Sequence, residues 1–136
     1  MAQLRGDISS TTDVFRIGAQ RSVGKDWHDL QPMPEAHRII HGCYVFTPGQ
    51  MQRIRFGYVP KEVWDRWFIY AETDSQVRIY RSTTQYCIFI LNFVEQLDEW
   101  WLKEIVINAC PTQYKGRSDY ADEQQVIGLL RRYLLN

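Results

Sequence analysis

Over residues 67–108 the chain is a succession of apolar and aromatic runs, separated by polar stretches of only a few residues. No other feature constrains the fold as strongly. Residues 67–71 are apolar and aromatic, 77–81 alternate, 86–94 are apolar except for Asn92, and 100–108 alternate again. Runs of this length bounded by turn-forming residues are strands. Links as short as 72–75, 82–85 and 96–99 join antiparallel neighbours, because a parallel crossover needs roughly a dozen residues or more. An unbroken apolar run is buried on both faces, so 86–94 is predicted as a central strand. In 100–108, strict alternation puts Trp101, Lys103, Ile105 and Ile107 on one face. Trp100, Leu102, Glu104 and Val106 take the other. Cys110-Pro111 ends the strand, because proline cannot continue a ladder.

Upstream, residues 38–47 are strand-like through Ile39, Ile40, Tyr44, Val45 and Phe46. Thr47-Pro48-Gly49-Gln50 has the proline and glycine of a type II turn. Residues 51–58 then alternate, with Ile54, Phe56 and Tyr58 opposite Arg53 and Arg55, which predicts a second strand and a hairpin. Pro60 ends it, and 61–66 has room for one or two helical turns. The clearest helix is 119–135. Ser118 or Asp119 can cap it. Acids sit in its first turns and Arg131 and Arg132 near its end, as the helix dipole favours. Val126, Ile127, Leu130, Tyr133 and Leu134 form its apolar stripe. The predicted fold is α+β: an antiparallel sheet of five or six strands with the C-terminal helix packed on one face. At roughly 100–200 residues per domain, residues 1–136 make one domain. Its best-defined region is 60–135. Residues 1–36 are an irregular segment, with one short strand at Val14, Phe15, Arg16 and Ile17.

Charge and composition narrow the function. Sixteen basic and sixteen acidic side chains cancel, which argues against a protein that coats nucleic acid. The balance is uneven: residues 37–82 hold seven Lys/Arg against four Asp/Glu. Arg38, Arg53 and Arg55 are candidates for a basic patch there. Three cysteines, Cys43, Cys87 and Cys110, form no CxxC pair. With no apolar leader at the start, they predict reduced thiols and a cytoplasmic protein. No apolar run is long enough for a membrane span. His37, His41 and Cys43 have zinc-compatible chemistry, but strand-like Ile39-Ile40 separates the histidines and no fourth ligand is evident. No metal or cofactor site is therefore assigned. No nucleotide-binding glycine loop and no GxSxG or HExxH motif is present.

Ten of the 19 aromatic residues lie in 64–101. Trp100 and Trp101, adjacent on one strand, must face opposite ways. Most such rings are core; one on an open face is a platform for a base or sugar. Arg66 and Arg81 bracket the first hairpin and would meet at its base, where two guanidinium groups suit a phosphate or carboxylate. Ser82, Thr83 and Thr84 add hydroxyl donors. The bland alternative pairs both arginines with Asp65, Glu72 or Asp74.

Arg66-Trp67-Phe68-Ile69-Tyr70, Ile79-Tyr80-Arg81-Ser82-Thr83-Thr84-Gln85-Tyr86, and Val106-Ile107-Asn108 with Pro111 and Gln113-Tyr114 together resemble a small bacterial domain. That domain occurs alone or fused to macrodomain or ADP-ribosylglycohydrolase-type proteins and has no settled activity. The resemblance covers about residues 60–135. It falls on Arg66, Trp67, Tyr70, Arg81, Ser82, Thr84, Asn108, Pro111, Gln113 and Tyr114. Tyr80 stands where the pattern has His, Thr83 where it has Trp, Gln85 where it has Gly, and Ala109-Cys110 where it has Arg-Asp. The resemblance implies ligand-binding roles for Arg66, Trp67, Arg81, Ser82, Thr84, Asn108 and Tyr114, and an association with ADP-ribose metabolism. The leading expectation is a non-enzymatic binding or accessory domain for a small anionic or nucleotide-like ligand, or for a protein partner. The alternatives are an enzyme acting on a nucleotide or ADP-ribosyl group, and a toxin-neutralising protein-interaction module.

Overall fold

A computed structural model describes residues 29–136. The strand expected near Val14 lies outside the described residues. Five strands form one antiparallel sheet: β1 His37–Phe46, β2 Trp67–Thr73, β3 Gln76–Arg81, β4 Cys87–Gln96 and β5 Glu99–Asn108. Two helices accompany it, α1 Pro48–Phe56 and α2 Asp119–Leu130. The spatial order is β1-β5-β4-β3-β2, so β4 is central, as its apolar run requires. Strands β2 to β5 follow one another as a meander through short turns. The Gln96–Glu99 link is a two-residue turn with Leu97 at φ 51° and Asp98 at φ 62°.

Four expectations upstream are overturned. Residues 48–56 form a helix, not a strand, and Thr47-Pro48-Gly49-Gln50 starts that helix instead of a type II turn. The Thr47 hydroxyl accepts the Gln50 N–H at 3.1 Å, while the Gln50 side-chain oxygen accepts the Thr47 N–H at 2.9 Å. This is a capping box with proline just inside the helix start. Met51 and Ile54, three apart, are both fully buried, which the helical period explains and strand alternation does not. The predicted hairpin is therefore absent, and β1 pairs instead with β5, from His37 opposite Asn108 to Phe46 opposite Trp100. Residues 61–66 make a turn and not a helix.

The face assignment in β5 also changes. The register shifts between Asn92 and Phe93, where Lys103 is the extra residue on β5. A bulge of this kind puts two residues opposite one and reverses the alternation beyond it. Trp100, Leu102, Ile105 and Ile107 consequently share the face that also carries Phe89 and Leu91. Trp101, Glu104 and Val106 share the other.

The helix-covered face buries Ile69, Val77, Ile79, Phe89, Leu91, Leu102, Ile105 and Ile107 against Met51, Ile54, Val126, Ile127, Leu130 and Leu134. Each such side chain contributes roughly 1.5–3 kcal/mol on burial. The apolar stripe of α2 thus packs on one face of the sheet, as its spacing predicts. Ser118 is its cap, accepting the Ala121 N–H at 3.1 Å. Its last five residues, Arg131–Leu135, wind as a π-helical turn. On the opposite face, Phe68, Tyr70, Tyr80 and Cys87 form a second, smaller cluster beneath Leu30, Met33 and Val59. No helix among the described residues is long and apolar enough to cross a membrane.

Candidate functional site

The sequence-predicted residues gather at one end of the sheet, where β2 and β4 begin and β3 and β5 end. Trp67 lies opposite Arg81 in the β2–β3 register. The Trp67 ring is buried at 5% exposure, so it is core and not an open platform. Its centroid lies 6.1 Å from that of Phe89, and the Arg81 guanidinium sits 4.6 Å above it. Such a cation–π contact fixes the guanidinium without neutralising it.

Backbone bonds lock the two motif segments together. The Ser82 N–H donates to the Arg66 carbonyl at 2.8 Å, and the Ser82 hydroxyl donates to the Asp65 carbonyl at 2.7 Å. That hydroxyl is spent on a clasp, which makes Ser82 a positioning residue. Gln85 has φ 63°, a left-handed conformation that favours glycine. The resembled pattern has glycine at this place. Here the Gln85 amide compensates by donating to the Ser82 carbonyl at 2.7 Å. Thr84 is exposed, and its hydroxyl accepts only a long bond, 3.5 Å, from the Tyr86 N–H.

Glu72 and Asp74 lie at the far end of the β2–β3 hairpin from Arg66 and Arg81, and Asp65 has other partners. Asp65 accepts the Tyr58 hydroxyl at 2.7 Å and the Lys61 N–H at 2.8 Å. These bonds, the Lys61 N–H first, hold its carboxyl below the ordinary aspartate range. Burial, reinforced by Asp65, pushes the Tyr58 phenol up to about 12. Glu72 accepts the Tyr70 hydroxyl. Asp74 lies beside Arg55, which donates to its carbonyl at 2.8 Å. No ion pair involves Arg66 or Arg81 among the described residues.

Asn108 and Tyr114 lie at the same end but are built into the fold. Asn108 is fully buried; its amide donates to the Cys87 carbonyl at 2.8 Å and to Gln113 at 2.9 Å, and its oxygen accepts the Cys110 N–H at 2.8 Å. Both amide hydrogens and the oxygen are thus bonded within the fold, which ties β5 to β4 and to the loop that follows. Tyr114 packs edge-on against Phe89 and donates to the buried Asp122 carboxylate at 2.6 Å. Burial, then Asp122, pushes its phenol up to about 12. Arg38 pairs with both Asp119 and Asp122. The supposed patch of Arg38, Arg53 and Arg55 is therefore dispersed: Arg38 is in an ion-pair cluster, Arg53 is exposed on α1, and Arg55 lies 4.5 Å over Trp100. His37 and His41 lie on β1, and Cys43 sits exposed at its irregularity.

One arrangement escaped the sequence. On the face away from the helices, Arg78, Gln76, Asn92 and Glu104 form a hydrogen-bonded row across β3, β4 and β5, with bonds of 2.9, 3.0 and 3.0 Å. His41 continues it opposite Glu104 on β1. The single polar interruption at Asn92 was its signal. Trp101 lies on this face, with its indole N–H buried and unbonded. Comparison with protein-family models, curated proteins and solved structures finds no match for the chain.

Proposed function

We propose that this chain is a non-enzymatic binding domain whose Arg66–Arg81 corner receives a small anionic or nucleotide-like group. The observation that carries the proposal is electrostatic. The Ser82 clasp fixes the Arg66 backbone next to the end of β3, neither Arg66 nor Arg81 forms an ion pair among the described residues, and the adjacent acid, Asp65, is held by Tyr58 and Lys61. An anion with two or more oxygens would supply the missing charge through bidentate bonds. Thr83 and Thr84, exposed beside them, add hydroxyls. Trp67 supports Arg81 from below and does not stack with the ligand. Asn108 and Tyr114 hold the corner's frame. The resemblance described above makes ADP-ribose the first ligand to test. The free thiols Cys43, Cys87 and Cys110 support a reducing compartment such as the cytoplasm.

Thermal melts test this. At a hundred times its Kd, a ligand adds about 2.7 kcal/mol, which raises Tm by roughly 5–10 °C in a chain of this size. ADP-ribose, AMP or pyrophosphate should give such a rise, and Arg66→Gln should abolish it while leaving the ligand-free Tm near wild type. No rise at millimolar concentration with any of the three contradicts the proposal. A second reading, a protein-interaction module, draws support from Ile39, Val45 and Val94. Each is more than 40% exposed, on the face away from the helices. It predicts flat melts with all anions, and loss of a co-purifying partner in the double variant Val45→Lys, Val94→Lys but not in Arg66→Gln.

A further inference from the structure

The opposite end of the sheet holds a cavity of about 370 Å³ between the end of β1, the start of α1 and the end of the C-terminal helix. Small-molecule sites run from roughly 300 to 1,000 Å³. Phe46, Ile127, Leu130 and Leu135 give this one an apolar wall. Phe46, Ile127 and Leu130 belong to the core, so the wall is fixed and not a product of flexible rims.

Two donors also line the cavity. Gln50 is oriented by the capping box: its oxygen is committed to the Thr47 N–H, which leaves its NH₂ without an acceptor among the described residues. Arg131 lines the cavity and forms no ion pair among the described residues. No Asp or Glu side chain lines it. The helix also departs from regular winding here. Its π-helical turn runs from Arg131 to Leu135, and both ends of that turn line the cavity. Single π turns recur at functional sites, where they re-aim side chains.

We infer that this cavity is a binding site for a small amphipathic carboxylate, with its apolar tail against Phe46, Ile127 and Leu130 and its head group at Arg131 and Gln50. The apolar wall sets a preference for a hydrocarbon body. The unmatched guanidinium and the fixed amide donor set a preference for an anionic head. The site is separate from the Arg66–Arg81 corner and does not depend on it.

Octanoate is the probe, followed by methyl NMR and calorimetry on the full chain. Saturable shifts are expected at the methyls of Ile127, Leu130 and Leu135. Arg131→Gln, an exposed position whose change leaves the core intact, should weaken octanoate about tenfold, the cost of one charge-assisted bond. It should leave octanol unaffected, and octanol should bind wild type about as weakly as octanoate binds the variant. Leu135→Trp, which fills the opening from a half-buried position, should block octanoate without lowering Tm. The inference is overturned by the absence of saturable shifts at millimolar octanoate, by equal affinity for octanol, by an unchanged Kd in Arg131→Gln, or by shifts centred on residues 66 and 81–85.

Discussion

Asn108 shows how little of a buried polar residue's role is visible from its place in a sequence. It ends an alternating strand and looks available for a ligand, yet it is fully buried and both of its amide hydrogens and its oxygen are bonded, to the Cys87 carbonyl, Gln113 and the Cys110 N–H. Asn108→Ala strands the Cys87 carbonyl and the Cys110 N–H and opens a void, and should cost about 2–4 kcal/mol in urea unfolding. A loss under 1 kcal/mol would contradict a structural role. Asp122 is a similar case. In sequence it is a helix-dipole acid in the first turn of α2. In the fold it is fully buried among Arg38, Tyr114 and Arg117, partners that no local pattern connects. Cys87 gives a pH-dependent test. Burial pushes its thiol up to about 12 from an ordinary 9.0. The folded state therefore holds a proton that the unfolded state releases. The resulting stabilisation is complete below pH 9 and is lost as pH rises toward 12, by up to about 1.4 kcal/mol per unit. Cys87→Ala should delay the onset of alkaline destabilisation to about pH 10, where the tyrosines begin to ionise. An unchanged onset would remove the thiol from the account.

At the scale of elements, the meander β2 to β5 was legible because each strand is short, apolar and bounded by polar turns. Helix α1 was not, because residues 51–58 satisfy two periods at once. Ile54, Phe56 and Tyr58 alternate like a strand, while Met51 and Ile54 repeat like a helix, and the deciding Thr47–Gln50 capping box shares its proline and glycine with a turn. The bulge at Lys103 was equally hidden, since one extra residue leaves no mark on composition while moving Ile105 and Ile107 to the opposite face. The β4–β5 turn carries a visible defect. Leu97 and Asp98 both have positive φ, and Leu97 is 94% exposed, so it gains nothing by burial in return. Two-residue hairpin turns of this shape favour Asn-Gly. The double variant Leu97→Asn, Asp98→Gly should gain about 1 kcal/mol, read as a Tm rise of a few degrees. A fall in Tm would contradict this description of the turn.

At the scale of the whole molecule, the sheet presents two ends of different character. One carries the Arg66–Arg81 corner, where the Ser82 clasp and Trp67 hold unmatched positive charge in place. The other carries the cavity bounded by Phe46, Ile127, Leu130 and Arg131. The zero net charge of the chain conceals both, because acids such as Asp122 are paired with arginines elsewhere in the fold. The sequence marked the first end through its paired motifs. It left the second unmarked because β1, α1 and the last turn of α2 meet only in three dimensions. The most direct test of the central claim is an amide NMR titration of the full chain with pyrophosphate. Saturable shifts confined to Arg66 and residues 81–85, lost in Arg66→Gln, are the predicted result. Absence of shifts there at millimolar ligand, or shifts that persist unchanged in Arg66→Gln, would contradict it.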